Sequence, residues 1–557
     1  MKRYLITAVA LLAAASAFAQ NLNPTVEVTN VYSSSAKDIL KPVQEMAVPD
    51  SVTQFNLKLD YSVFDSPYKG AYEFSPFAET FRADTLARKR EQFYLRAGIG
   101  YEMHPEFEAL WSPVFFKDRL RLDVHARHNG FFGNYRGLDA VSSTVHSREV
   151  NTFRWDGSKS WGYDALTDIG ARATYPWKSG ETFLSASYFN LSGKDYLVTR
   201  SANGSRLEAG VKSVGTERIR YHACARWMHL GDYGDPSTPY SLVEDKLDVR
   251  SGVAFPLSNA GEIYTNLDFS MDRLRKGLQT TAAILWITPG YRFGIGNWWF
   301  DLGVKIDAYV GTFERYRTQY IYPDVHVSYT LLDGDMVLYA AATGGSTLNA
   351  YGDMIMRNHH FNLIHPVAPG GTLLDNSLER VNAGIGVRGH VWRRFQYDLK
   401  AGYAWVANGL LDGIDSLLPC TGYADYHMAY ADLKYAWISD CVKVDGLLSL
   451  RKTGLKNSPL FDLAVLTGTL KGSYTWNRRI TAGLSLDFSS GRTARVSDTL
   501  WYRIPGYADL GIFGEYAVNK MLDVWLKGGN LIHSTQQAVP LYGSGGIYFT
   551  AGVTLHF

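Results

Sequence analysis

The sequence predicts an all-β protein, a transmembrane antiparallel β-barrel of about 22 strands, within a range of about 18 to 24, preceded by a short N-terminal segment. From residue 92 onward, apolar and polar residues alternate in stretches of about ten to fourteen residues, the length of tilted strands that cross a bilayer. No apolar run of about 18 residues follows the N-terminal leader, which excludes helical spans. A closed barrel is then the remaining structure that can span a bilayer, because the backbone groups of an open sheet edge would have no hydrogen-bond partners in lipid.

Residues 1–19 are predicted to be a signal peptide. Lys2 and Arg3 precede an apolar run, and Ala17-Phe18-Ala19 is a small-residue site that predicts cleavage after Ala19. The run has about a dozen residues, whereas a membrane helix needs roughly 20. We therefore expect the segment to direct export and to be absent from the folded protein.

Residues 20–91 differ from the rest of the chain. They contain five prolines and a charged stretch over 82–91, and only residues 55–63 alternate. We interpret them as a periplasmic or lumenal segment, and residues 92–557 as the barrel. The first predicted strand is 93–101, and the last stretch, 547–557, places its apolar residues on one face and is expected to pair with it.

Alternation also predicts which side chains face the lumen. Residues 298–308 carry apolar side chains at every even position, so their charged odd positions should face water. The same reasoning for 119–127 and 522–531 gives the candidate ligand contacts of the lumen: Arg119, Arg121, Asp123, Arg127, Asp301, Lys305, Asp307, Asp523 and Lys527. The alternative is that these residues solvate the lumen and pair with one another or with the N-terminal segment.

The connections between strands alternate in length. Short ones (117–118, 178–180, 393–394 and 477–478) separate long ones (132–163, 345–378 and 408–423). This pattern is typical of periplasmic turns and extracellular loops.

Cysteine and histidine positions predict neither a disulfide nor a metal site. Cys420 and Cys441 flank a predicted strand, about 45 Å apart, and should not pair. Cys224 is expected to be an inert lumenal thiol. His125 and His128 point to opposite faces of a strand. His359, His360 and His365 lie in a predicted loop, where they bind a metal or, as we favour, are simply solvated.

Enzymatic activity is not expected, because the sequence has neither a Gly-x-Ser-x-Gly elbow nor paired carboxylates in a Gly-framed turn. No cofactor is expected. The net charge of +2 gives no indication of nucleic-acid binding.

The C-terminal region resembles that of TonB-dependent receptors. Gly529-Asn530-Leu531, the pattern of residues 507–516, and the glycine-led stretch from Gly545 to the terminal aromatic Phe557 carry the resemblance. It implies an outer-membrane transporter of large nutrients whose partners are outer-membrane lipid, the barrel-assembly machinery, which would recognise Phe557, and TonB or another envelope protein.

The family carries a large N-terminal plug, whereas residues 20–91 would form only a short or degenerate one, and only residues 26–29 could be a coupling segment. The leader, the tyrosine content and residues 47–51 resemble barrels of the Bacteroidota. We predict a receptor-like barrel that binds or admits a solute through its lumen. The alternative is a non-transporting structural barrel that docks other cell-envelope proteins.

Overall fold

A computed structural model of the chain describes residues 92–115, 120–195, 199–214, 219–233, 241–258, 261–276, 279–311, 319–361, 375–392, 394–415, 418–455, 457–544 and 546–557. The signal peptide with Ala19, the segment 20–91 with residues 26–29, the turn 117–118, Arg119 and His365 lie outside the described residues.

The described residues form 26 strands and one short α-helix. The strands are β1 Phe93–Tyr101, β2 Glu106–Trp111, β3 Val114–Phe115, β4 Leu120–Val145, β5 Arg148–Trp177, β6 Gly180–Lys194, β7 Thr199–Ser213, β8 Arg220–Asp232, β9 Leu242–Ser258, β10 Gly261–Arg275, β11 Thr280–Ile295, β12 Trp298–Gly311, β13 Gln319–Leu331, β14 Met336–Leu348, β15 Asn376–Val391, β16 Phe395–Asp415, β17 Leu418–Ile438, β18 Val442–Thr453, β19 Ser458–Phe461, β20 Leu466–Trp476, β21 Ile480–Ser489, β22 Arg492–Arg495, β23 Leu500–Ile504, β24 Tyr507–Ala517, β25 Leu522–Gly529 and β26 Tyr548–His556. Helix α1 spans Tyr351–Arg357.

Twenty-two of the strands form a closed antiparallel wall, as the sequence predicted. The short strands β3, β19, β22 and β23 lie outside the circuit, which passes from β2 to β4, from β18 to β20 and from β21 to β24. At the seam, β1 pairs with β26 from Tyr94 opposite His556 to Tyr101 opposite Phe549, so the predicted pairing of first and last strands is confirmed. The Phe557 amide donates to the carbonyl of Phe93 at 2.9 Å.

The outer face of the wall is apolar, and the inner face is polar. On β12, Leu302, Val304 and Ile306 are exposed on the outer face, while Gly303 and Asp307, which have the opposite parity, are buried. The same alternation leaves Ile99 on β1 59% exposed. An apolar outer band suits lipid contact. Among the described residues, none of the helices is long and apolar enough to cross a membrane.

Many glycines of the wall lie beneath aromatic rings of the neighbouring strand. A Cβ at Gly290 would fall 2.2 Å from the Tyr264 ring, and one at Gly386 would fall 2.3 Å from Tyr339. Only glycine leaves room for a ring to lie flat on the strand. This packing accounts for part of the 52 glycines and 36 tyrosines of the sequence.

The predicted long loops are largely strand, which corrects the sequence interpretation. Residues 132–163 continue β4 and β5, which reach 26 and 30 residues, and residues 408–423 continue β16 and β17 apart from the undescribed pair 416–417. Beyond the bilayer the outward face of a hairpin contacts water instead of lipid, so the apolar alternation stops although strand pairing continues. In 345–378, β14 and β15 flank a connection that contains α1.

A small mixed sheet extends from these long strands at the end of the barrel that carries the long connections. There β23 pairs in parallel with β5, β22 pairs with β23, and β19 pairs with both β22 and β16. The side of this sheet that faces the barrel is buried around Phe153, Ala494 and Ile504. We call it the outer sheet.

Candidate functional site

All eight described residues of the candidate set lie on the lumenal face of their strands. Leu302, Val304 and Ile306 alternate with the β12 candidates and are exposed on the outer face, and Val524 and Leu526 do the same on β25. The eight are Arg121, Asp123, Arg127, Asp301, Lys305, Asp307, Asp523 and Lys527. Their facing follows the prediction, while ligand contact by any of them stays a prediction.

Most of these candidates bind other wall residues. Arg292 Nε lies 2.7 Å from Asp301 Oδ2, and Tyr264 donates to Asp301 Oδ1 at 2.6 Å. Lys527 pairs with Glu106 across the seam. These contacts fit the alternative reading, in which lumenal charges pair with one another, and they stiffen the wall.

Four further candidates also contact neighbouring residues of the barrel. Lys305 Nζ donates to the Gly344 carbonyl at 3.2 Å, and Ser346 donates to Asp307. Asp523 Oδ2 lies 2.7 Å from His556 Nε2, and Asp123 accepts from Ser112 at 2.5 Å.

The alternation correctly predicted which way Cys224, His125 and His128 face. Cys224 is lumenal and donates to Glu208 at 3.2 Å, and all three cysteines are free. His125 faces the lumen, 2.9 Å from Asp168, while His128 contacts Thr167 on the opposite face. Within the described ranges, side chains of the metal-ligating types form no cluster that could hold a metal ion.

The lumen contains an element that sequence reasoning missed. Helix α1 and residues up to Phe361, here called the α1 segment, fold inward from the connection between β14 and β15. Tyr351, Met354, Ile355 and Met356 are buried. They join one apolar cluster with inward side chains of the wall: Phe189, Leu191, Ala202, Met228, Leu230, Leu242, Leu274, Ala282, Ile284, Tyr309, Leu348 and Leu410.

The start of the α1 segment is fixed by polar contacts with β8 and β9. The Tyr351 hydroxyl donates to Asp232, which also pairs with Arg200 at 3.3 Å. Burial raises the pKa of the Tyr351 phenol, so the hydroxyl keeps its proton and remains a donor. The Gly352 amide donates to Glu244 at 2.8 Å, which caps a helix that has no side-chain cap of its own.

Further contacts hold the end of the segment against other strands. Arg200 donates to the carbonyl of His359 at 2.7 Å and to that of Phe361. Arg357 pairs with Asp412 of β16 at 3.3 Å. The α1 segment is therefore tied to both β7 and β16.

The two described histidines of this connection have partners. His359 Nδ1 lies 2.7 Å from Asp164, and His360 Nδ1 lies 3.2 Å from Asp195. The His360 ring also stacks on Tyr542 at 4.1 Å. They help to fix the α1 segment, which corrects the expectation that they are simply solvated.

A small polar cleft with a volume of about 10 Å³ lies beside these histidines. Its lining includes Tyr163, Lys194, Arg200 and His360. A cavity of this volume has room for about one water molecule, so it is too small to hold a solute. The sequence signal that could have indicated the α1 segment is the apolar cluster of Tyr351, Met354, Ile355 and Met356 within the connection from β14 to β15.

No family model and no curated protein matches the sequence. Solved structures do match the fold. The FrpB iron transporter of Neisseria meningitidis (F3-3 variant) is 11% identical with a TM-score of 0.64, covering 85% of this chain and 82% of that one. The siderophore receptor PirA of Acinetobacter baumannii is 9% identical with a TM-score of 0.60, covering 84% and 80%. The ferric-catecholate import receptor Fiu of E. coli K12 is 11% identical with a TM-score of 0.61, covering 84% and 82%. The chain therefore has the barrel fold of outer-membrane receptors.

Proposed function

We propose that this chain is an outer-membrane barrel of the TonB-dependent-receptor type, which binds a solute at the end with the long connections and admits it through the lumen. The observation that carries the proposal is a closed 22-stranded wall with a charged lumen and an apolar exterior. An aqueous, charged interior of this width serves the passage of a polar solute. The names of the similar structures make an iron chelate the first solute to test.

The proposal includes the domain organisation expected from the sequence. Residues 1–19 direct export, and residues 20–91 act as a short plug or periplasmic extension of the barrel. Outer-membrane lipid and the barrel-assembly machinery are its partners, the latter through Phe557. Energised uptake would use TonB and residues 26–29. An origin in the Bacteroidota belongs to the same proposal.

In this proposal a solute must pass the α1 segment, which lies inside the lumen. It is anchored to β7, β8, β9 and β16 by polar contacts. Passage requires these contacts to open or the solute to pass beside them.

The same anchoring favours the alternative function, a structural barrel that docks envelope proteins. A lumen whose own segment is hydrogen-bonded to a buried ion pair of the wall, Arg200 with Asp232, favours a barrel that stays closed. The two functions differ in whether the barrel conducts.

Single-channel conductance in planar bilayers separates them. We would compare the mature chain, the chain without residues 20–91, and that truncated chain carrying Asp232→Asn. Conductance in either truncated form, blocked by a ferric chelate, supports the transporter. Absence of conductance in all three, with stable co-purification of envelope proteins, contradicts it and favours the structural barrel.

A further inference from the structure

The outer sheet presents a basic face to the outside. Phe153, Ala494 and Ile504 mark the buried side, so residues of the opposite parity point away from the barrel. Register pairs confirm the facing, because Val141 lies opposite Thr152 and Val150 lies beside Trp501. This basic face consists of Asp139, Val141, Ser143, Val145, Arg148, Val150, Thr152, Arg154, Thr493, Arg495, Trp501 and Arg503.

Most of the cations on this face are uncompensated. Arg148, Arg154 and Arg503 are exposed, and no carboxylate of the described residues forms an ion pair with them. Arg495 lies 3.4 Å from Asp462 and remains 40% exposed. Asp139 is the one acidic residue on the face. With four arginines against Asp139 on the face and Asp462 beside Arg495, the face keeps an excess of positive charge within the described chain.

Two of the arginines on this face stack on Trp501. The guanidinium carbon of Arg148 lies 4.7 Å from the centroid of the indole, and that of Arg495 lies 5.4 Å from it. Arginines stacked on an aromatic ring keep their N–H edges free, and those edges match carboxylates in a bidentate way. The indole is already covered by arginine, so it offers little surface for a sugar ring. This arrangement favours carboxylates over neutral sugars.

The basic face ends at a free strand edge. From Leu138 to Val145, β4 pairs with β5 on one side, and no strand of the described residues pairs on its other side. Val141 and Val145 are 53% and 49% exposed there. From Asp139 to Val145 the edge has no lysine, proline or bulge, which are devices that block strand addition; the nearest register shift lies before it, between Arg136 and Leu138. An open edge of this kind accepts an extended peptide as an added strand.

We propose that an extended, acidic segment of another protein docks on the basic face and pairs with the free edge of β4. On the basic face its acidic side chains would lie beside Val141 and Val145 and reach over β4 to Arg148 and Arg154, with Arg503 on β23 adding longer-range attraction. Its alternate apolar side chains would lie on the opposite face, beside Ser142 and Thr144. Charge complementarity decides against a second copy of this chain, because an identical edge would bring the same arginines with it. This docking is separate from solute passage and leaves conductance unchanged.

The first test measures binding of a fluorescent peptide of alternating glutamate and valine to the full mature chain in detergent. We expect the triple variant Arg148→Glu, Arg154→Glu, Arg503→Glu to bind at least about tenfold more weakly, and the affinity of the unaltered chain to fall with salt. The matched control carries Lys178→Glu, Arg478→Glu and Lys520→Glu, three exposed residues in the short turns at the opposite end of the barrel. It should bind normally, and equal loss in both variants overturns the proposal.

The second test asks whether the peptide adds as a strand. Hydrogen exchange of residues 138–146 should slow when the peptide binds, because free-edge amides gain partners. Peptide binding without slower exchange there contradicts edge pairing. Tighter binding of polygalacturonate than of the peptide would assign the face to an acidic glycan instead, and a dimer in light scattering would assign it to a second copy. Both results would overturn the proposal.

Discussion

The two ends of the barrel are built differently. At one end, strands are joined by short turns such as 178–179, 296–297 and 477–479, and the two barrel termini meet at the seam. At the other end, strands run on past the wall, build the outer sheet and send the α1 segment inward. The bilayer dictates the wall, since it fixes strand length and facing. The long-connection end extends beyond the bilayer, so the bilayer does not fix strand length or facing there.

The largest expected effect concerns the α1 segment. Replacing Asp232 (Asp232→Ala) leaves Arg200 and Tyr351 buried without their shared partner, a local cost of about 3 to 5 kcal/mol. We expect fast hydrogen exchange over 349–361 and unchanged exchange in the wall. Asp353→Ala removes a contact whose carboxylate is 56% exposed and serves as the milder control. If Asp232→Ala leaves exchange over 349–361 slow, the polar contacts do not hold the segment.

A smaller effect is expected in the wall. Gly386→Val places a side chain where the Tyr339 ring lies, and overpacking of this kind costs about 1 to 3 kcal/mol. The urea midpoint of refolded barrel, followed by the gel mobility of unheated samples, should fall. Gly514→Val on β24 is the control, because no atom lies within 4 Å of its added Cβ. Equal midpoints for the two variants would show that the ring moves aside without cost.

The smallest effect is a pH dependence at the long-connection end. His104, between β1 and β2, stacks on Tyr548 at 4.2 Å, and burial lowers its pKa to about 4. The unfolded chain binds this proton near pH 6.5, so the neutral ring contributes stability above about pH 6.5 that is lost as the pH falls toward 4. Because the ring is partly solvated, we expect about 1 kcal/mol.

His104→Phe tests this titration, since it keeps the stacking and removes the proton site. Urea unfolding at about pH 7.5 and about pH 5 should show a smaller acid loss in the variant than in the unaltered chain. The same acid loss in both chains would mean that other groups account for it.

The wall was predictable from the sequence, and the long-connection end was not. The first strand, 93–101, and the lumenal facing of Asp301 and Lys527 follow from alternation, because lipid tolerates one kind of side chain and water another. In 132–163 the outward face of the hairpin meets water instead of lipid, so the alternation that marks a membrane strand is lost while the pairing continues. The α1 segment is fixed by Asp232 and Glu244, which lie more than a hundred residues away in sequence, and no local pattern encodes such contacts.

The seam between β1 and β26 joins the two strands of the wall that are farthest apart in sequence. Its pairing therefore closes a longer loop of chain than any other strand pairing of the wall, and this makes it the entropically most costly one to form. Until that pairing forms, an incomplete wall presents two bare strands to its surroundings, each a template for wrong partners. Closure therefore requires both strands, and a chain that lacks either β1 or β26 cannot complete the wall.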